Sequence, residues 1–346
     1  MEIIRILLLT ALSFGAAFAW MPLLLMALLR WRAGKAIRPD AETPVFSKLH
    51  ASKSGTPTMG GILVWGTVLV LAVGLSALSR AAPGTFLGHL NFLSRSETLL
   101  PLGALVASAI VGFVDDYFNI RGIGAHGGGL RARHRLMVYT FIAIVGAWWF
   151  RTKLDWDLLH VPFVGDFNVG LWYVPFFILV IVATAFSVNE TDGLDGLAGG
   201  TLLTSFGAYA IISFAQGHYD LAAFCGVIIG SLLAFLWYNI CPAKFFMGDT
   251  GAMSLGVTLG IVAMLTNSAL FLPVIGLVFV LESASVLLQL FWRKAFKKKL
   301  FLSAPFHHHL EASGWPEPQI VMRLWVISMV AGAIGIALAL LDVLVA

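Results

Sequence analysis

Strongly apolar runs of about 17 to 25 residues recur from one end of this 346-residue chain to the other. Each is long enough, as a helix, to cross roughly 30 Å of hydrocarbon, where only helices and closed barrels satisfy their own backbone. Ten spans are expected, at about 6 to 29, 59 to 79, 98 to 114, 136 to 150, 171 to 188, 197 to 215, 221 to 238, 251 to 266, 269 to 292 and 322 to 345. The fourth is short and the eighth and ninth nearly touch, so nine and eleven are the neighbouring counts. The first is read as a retained helix and not a secretory leader, because it is long, carries Trp20 and Pro22 and has no clear small-residue cleavage site. With 59% hydrophobic and 12% charged residues and a mean hydropathy of +0.90, a soluble domain is excluded. The expected fold class is an all-α polytopic membrane protein, one membrane domain over residues 1–346 without repeats or low-complexity tracts.

Lys and Arg are retained in cytoplasmic loops, so their distribution orients the chain. About 17 of the 22 fall at 30 to 58, 115 to 135, 239 to 250 and 293 to 323, among them Arg30, Arg32, Lys35, Arg38, Lys48, Lys53, Arg131, Arg133, Arg135 and Lys297 to Lys299. The opposite side receives only Arg80, Arg95, Arg151 and Lys153, with Arg5 at the amino terminus. Both termini then lie outside. The net charge of +4 follows from this bias and calls for no nucleic-acid partner. Cys225 lies in a span and Cys241 in a cytoplasmic loop, which disfavours a disulfide or thiolate metal site.

The same orientation puts every acidic motif on the cytoplasmic face, although the acids played no part in deriving it. Val111-Gly-Phe-Val-Asp-Asp-Tyr117 ends the third span, and two adjacent carboxylates there must meet water, a cation or a metal. Alone, a solvated helix end accounts for them equally well. In Asn189-Glu-Thr-Asp-Gly-Leu-Asp-Gly-Leu-Ala198, Asp192 and Asp195 share a face if helical, and Gly193 and Gly196 permit close ligand approach. Asp before Gly also simply turns a chain, but Asn189 and three acids in one short connection favour a site. Phe245-Phe-Met-Gly-Asp-Thr-Gly251 sets Asp249 at a helix start, either as a cap or as a ligand for a divalent cation beside phosphate. A set of Asp without Cys suits Mg²⁺. Lys48 and Lys53, with Gly55, Gly60 and Gly61, form a basic glycine-rich stretch able to cradle phosphate or to meet lipid headgroups. His307, His308 and His309 cannot all face one metal and are read as phosphate or nucleotide contacts. Glu282, an acid inside the ninth span, is read as structural and bonded to a polar group on another helix.

Five segments, Lys53 to Gly61, Gly112 to Tyr117, Thr191 to Ala198, Phe246 to Gly251 and Pro305 to Pro318, resemble in order the motifs of the phospho-N-acetylmuramoyl-pentapeptide transferases, over about residues 38 to 325. The resemblance implies a ten-helix homodimer in the bacterial inner membrane, active at the cytoplasmic face. It implies transfer of phospho-MurNAc-pentapeptide from UDP-MurNAc-pentapeptide to undecaprenyl phosphate, releasing UMP, with Mg²⁺. By that likeness Asp115, Asp116, Asp249 and His308 are catalytic candidates and Asp249 the Mg²⁺ ligand. Lys53, Thr58, Asn189, Asp192, Asp195, Asn239, Phe246, His307 and His309 are the substrate-binding candidates. Asp115 or Asp116 would take the lipid phosphate's last proton or organise cations around it, and the residues leave the division open.

The chain departs from the family pattern in four places. Asn119 stands in place of a Lys, Arg135 replaces a Lys later in that loop, Ala252 stands for Ser, and Glu190 adds an anion where an apolar residue is usual. The loop at 120 to 129 is also slightly long. These changes bear on rate and affinity more than on fold. Two alternatives remain: a sister enzyme moving another sugar phosphate from a UDP-sugar to the same lipid, against which the histidine run and Gly314-Trp-Pro-Glu-Pro318 argue, and a transporter. A transporter is expected to bury its ionisable groups at midplane, often with paired repeats, whereas these acids gather at one interface.

Overall fold

The computed structural model describes residues 1–34, 53–86, 88–95, 97–124 and 128–345. Lys35, Arg38, Lys48 and the first part of the basic glycine-rich stretch lie outside them. The helices are α1 (Glu2–Arg30), α2 (Ile62–Ala81), α3 (Leu99–Ile120), α4 (Ala132–Lys153), α5 (Tyr173–Thr191), α6 (Leu197–Ala215), α7 (Tyr219–Asn239), α8 (Gly248–Leu265), the short α9 (Leu272–Ile275), α10 (Leu277–Phe296), the short α11 (Phe306–Ala312) and α12 (Glu317–Val345). Between α4 and α5 an antiparallel hairpin, β1 (Leu158–Val161) and β2 (Gly165–Asn168), pairs Leu158 with Asn168 and Val161 with Gly165.

The all-α membrane architecture expected from the apolar spans is the one observed. Among the described residues eight helices are long and apolar enough to cross a bilayer, nine if a bent pair counts as one. Two of the ten expected spans differ for identifiable reasons. The fourth is the 22-residue α4, but its apolar run is bounded by Arg135 and Arg151 and is too short to count by apolarity. The ninth is broken: residues Ala269–Ile275 and α10 meet at 84°, with Gly276 between them.

Helix α8 is the hub, buried along almost its whole length. Its Gly, Ala, Ser and Thr side chains let neighbours approach closely, the usual basis of packing where lipid removes the hydrophobic drive between helices. Helices α3 and α5 flank it. A Cβ on Gly112 of α3 would sit 2.4 Å from the Asp249 carbonyl oxygen, and one on Gly61 would sit 2.2 Å from the Gly251 Cα. Those contacts are with backbone, so glycine is needed at both places. They bring the acidic end of α3 and the start of α2 directly against the start of α8.

Candidate active site

Most of the sequence's candidate residues meet at one end of the bundle. Helix α3 continues to Ile120, so Asp115 and Asp116 occupy its last turns, both buried. The centre of the cluster is Arg135, near the start of α4. Its Nε donates to Asp115 Oδ2 at 2.7 Å, one Nη to Asn189 Oδ1 at 3.1 Å and the other to Asp249 Oδ2 at 3.0 Å. Asn189 Nδ2 donates to the second Asp249 oxygen at 2.6 Å. Three helices, α3, α5 and α8, therefore present side chains to one guanidinium, whose planar fork suits several oxygens at once. The long 120 to 129 loop also contributes, because the Leu130 backbone N–H that follows it donates to Asp115 Oδ1. Asp249 lies in the first turn of α8 but makes no cap hydrogen bond; its oxygens are held by Arg135 and Asn189 instead. Asp116 turns the other way, accepting from the Thr250 N–H at 3.0 Å and, at the long limit, from Thr58 Oγ1 at 3.5 Å.

A second cluster adjoins it. The 57 to 61 segment runs against 246 to 247 through backbone bonds, Phe246 N–H to the Pro57 carbonyl, Gly60 N–H to that of Phe246 and Gly61 N–H to that of Met247, each 2.8 Å. That ladder delivers Lys53 to Asp195 Oδ1 at 2.6 Å and Glu317 Oε1 at 2.5 Å, with the Phe246 ring 6.0 Å from its Nζ. Burial alone would lower the Lys53 pKa, but the two carboxylates outweigh it and raise the ammonium above its ordinary value. Asp195 Oδ2 accepts the Ala243 N–H at 3.0 Å. Asp192 and Asp195 do not share a helix face: α5 ends at Thr191, and the residues to Gly196, whose φ is +82°, form a turn. Asn239 locks that turn, accepting the Gly196 N–H at 3.0 Å and donating to the Phe245 carbonyl at 2.9 Å.

The three histidines diverge. His307, fully buried, bonds through its Nδ1 at 3.0 Å and its backbone N–H at 3.2 Å to Glu282 Oε2, which is the polar partner expected for that intramembrane acid. A Cβ on Gly193 would lie 2.2 Å from His307 Nε2, so this pair reaches the 192 to 196 turn. His308 Nδ1 pairs with Glu311 at 2.6 Å, while His309 accepts the Leu302 N–H and stacks edge-on against Phe301. Of the candidates, Asp192 is half-buried in the turn beside Gly193.

Two members were missed as site residues. Glu317 also accepts the Asp195 N–H, at 2.7 Å; the signal available was its place in the Trp-Pro-Glu-Pro segment. Arg135 was noted only as a departure from a family Lys, and its three contacts come from residues up to 114 positions away.

The oxygens of Asp115, Asp249 and Asn189 are hard donors without thiol or imidazole, Asp116 lies beside them on the α8 backbone, and the Arg135 guanidinium already draws a cation's charge between Asp115 and Asp249. Such a set fits a hard divalent cation with substrate phosphate oxygens.

Comparison with known proteins agrees with the geometry. The family model described as glycosyl transferase family 4 matches residues 98–267, and a phospho-N-acetylmuramoyl-pentapeptide-transferase signature matches residues 53–63. Relatives carrying that enzyme's name include those of Chloroflexus aggregans, 40% identical over 90% of this chain and 83% of the relative, and Geobacillus sp. (strain WCH70), 36% identical over 94% and 95%. The Rickettsia akari protein of the same name is 36% identical over 88% of this chain and 84% of its own length. With this degree of identity over nearly the whole length, the chain belongs to the phospho-N-acetylmuramoyl-pentapeptide transferase family.

Proposed function

We propose that this protein transfers phospho-MurNAc-pentapeptide from its UDP carrier to undecaprenyl phosphate, giving lipid I and UMP, at the cytoplasmic face of the bacterial inner membrane. The observation that carries the reading is the convergence of Asp115, Asn189 and Asp249 on Arg135, adjoining the Lys53, Asp195 and Glu317 cluster. A lipid phosphate oxygen must approach the β-phosphorus of the diphosphate in line, forming one P–O bond as the bond to UMP breaks. The protein's work is positioning and charge cancellation.

Asp249, with Asp115 or Asp116, would hold Mg²⁺, which when bound neutralises diphosphate oxygens and the leaving phosphate. Arg135 keeps Asp115 and Asp249 aligned, and its guanidinium is suited to bidentate contact with phosphate. Lys53 places a cation beside the Phe246 ring, a combination suited to a nucleotide's phosphate and base. Asn239 holds the turn carrying Asp192 and Asp195, and Glu282 holds His307 against that turn. His308, paired with Glu311, and His309, held by the Leu302 N–H, complete the polar wall. Asp115 and Asp116, both buried in the last turns of α3, are the groups that would exchange a proton with the lipid phosphate or organise cations around it. The homodimer implied by the family belongs to the same reading.

The test is UMP release by purified protein with UDP-MurNAc-pentapeptide, undecaprenyl phosphate and Mg²⁺. Arms lacking lipid, containing EDTA or offering UDP-N-acetylglucosamine instead should be silent. Release from the last donor would favour the sister enzyme. Passage of substrate across sealed vesicles without UMP would favour transport.

A further inference from the structure

Helix α10 reverses the usual arrangement of a helix against a core: its polar residues Glu282, Ser283, Ser285 and Gln289 are buried, while Leu287, Leu290 and Phe291 are exposed. Ser283 is bonded to Ser187 of α5 at 2.9 Å and Glu282 to His307, so the first half of α10 is fixed at the level of the candidate site. The second half extends about 20 Å beyond Glu282 and ends in Arg293, Lys294, Lys297, Lys298 and Lys299, all exposed. The chain then folds back, and Gln289 clamps the return, accepting the Leu300 and Phe301 N–H groups at 2.9 Å each and donating to the Phe301 carbonyl at 3.0 Å. The result is a hairpin of defined shape with a basic tip.

Residues 283 to 310 contain no Asp or Glu, and none of the five tip cations has a carboxylate partner among the described residues. Topological bias accounts for cations on this face of the membrane. It does not account for their alternation with apolar side chains: Phe291 is 63% exposed, Phe296 53%, and Leu300 and Leu302 flank the return. Side-by-side cations and exposed aromatics fit the boundary between acyl chains and headgroups, where each cation adds attraction to anionic lipid.

We propose that the 287–302 hairpin is a docking surface for anionic phospholipid headgroups, its leucines and phenylalanines inserted among acyl chains and its five cations holding phosphodiesters. The five tip cations bond none of the site residues, although the return at Phe301 and Leu302 meets His309, and the proposal does not depend on the transferase reading. The probe is spin-labelled phosphatidylglycerol against spin-labelled phosphatidylcholine, with the full chain reconstituted in phosphatidylcholine membranes. Association with the wild-type protein should favour phosphatidylglycerol and weaken in high salt. Replacing Arg293, Lys294 and Lys298 to Lys299 by Gln, with Lys297→Asn to suit its left-handed φ of +57°, should lower that preference at least about threefold. The milder Lys298→Gln, Lys299→Gln pair, on an exposed turn remote from packing, should show part of the fall even if the larger variant does not fold. Equal association of the two lipids with the wild type, or an unchanged preference in the pair variant, would overturn the proposal. So would displacement of phosphatidylglycerol by stoichiometric polyprenyl phosphate, which would make the surface an acceptor site instead.

Discussion

Replacing Arg135 probes the centre of the cluster. Its guanidinium holds Asp115, which is fully buried, Asp249 and Asn189 through three hydrogen bonds. Hydrogen bonds to charged groups contribute about 1.5–3 kcal/mol each, but these share one cation and do not add. Breaking a buried pair by removing one partner costs about 3–5 kcal/mol, and Arg135→Gln should lose that much stability because two carboxylates are then left facing each other. Arg135→Lys keeps the charge and loses the fork, so about 1–2 kcal/mol is expected. If the same alignment is needed for phosphoryl transfer, a loss of about 3 kcal/mol in the transition state lowers kcat by roughly a hundredfold. The Lys variant, which keeps the charge, should stay within about tenfold. Thermal unfolding in detergent and the rate of UMP release read the two effects separately. An Arg135→Gln protein equal to wild type in both would refute the reasoning.

Three further outcomes follow from the packing and the charges. His307→Ala should destabilise by about 1–3 kcal/mol by removing the imidazole from Glu282, which keeps the backbone N–H of residue 307, and a double-mutant cycle with Glu282→Ala should give a coupling of at least about 1 kcal/mol; additive losses would contradict the pairing. Gly61→Ala should give little folded protein, since its Cβ would meet the Gly251 backbone at 2.2 Å, and a normal yield with an unchanged unfolding midpoint would show the α2–α8 contact is looser than described. On the opposite face His160 of β1 bonds both Asp166 and Asp342 of α12; burial works to lower its pKa, but the two carboxylates raise it above 6.5. A raised folded pKa gives stability that is full below pH 6.5 and lost as pH rises through the raised value, so the midpoint difference between wild type and His160→Gln should shrink from pH 6 to 9. A constant difference would argue against the tether.

The architecture was legible because a bilayer imposes a length and a polarity on every crossing segment. The boundary at Asp115 and Asp116 was less so: hydropathy falls at the first charge, yet the helix carries on to Ile120 with both acids buried and bonded to Arg135 and the start of α8. The break at Gly276 leaves no mark in hydropathy, because it falls inside the apolar run Leu272-Pro-Val-Ile-Gly-Leu-Val-Phe-Val280, and the segment reads as one span. The composition of the site was legible in its acids, which stand out against an apolar background. Its organisation was not, because Arg135, Glu317 and the Glu282–His307 pair are joined to their partners by tertiary packing and not by any local spacing. Asp192 and Asp195 show the limit of spacing arguments: three residues apart, they lie in a turn whose shape is imposed by Asn239 from another helix.

The central claim is that the cluster around Asp249 is where phosphoryl transfer occurs, and Asp249→Ala in purified protein tests it most directly. Arg135 keeps its bonds to Asp115 and Asn189 when Asp249 is removed, so the variant should fold with a lowered unfolding midpoint, measured alongside activity, and release no measurable UMP from UDP-MurNAc-pentapeptide with lipid phosphate and Mg²⁺ present. UMP release at the wild-type rate from that variant would contradict the account.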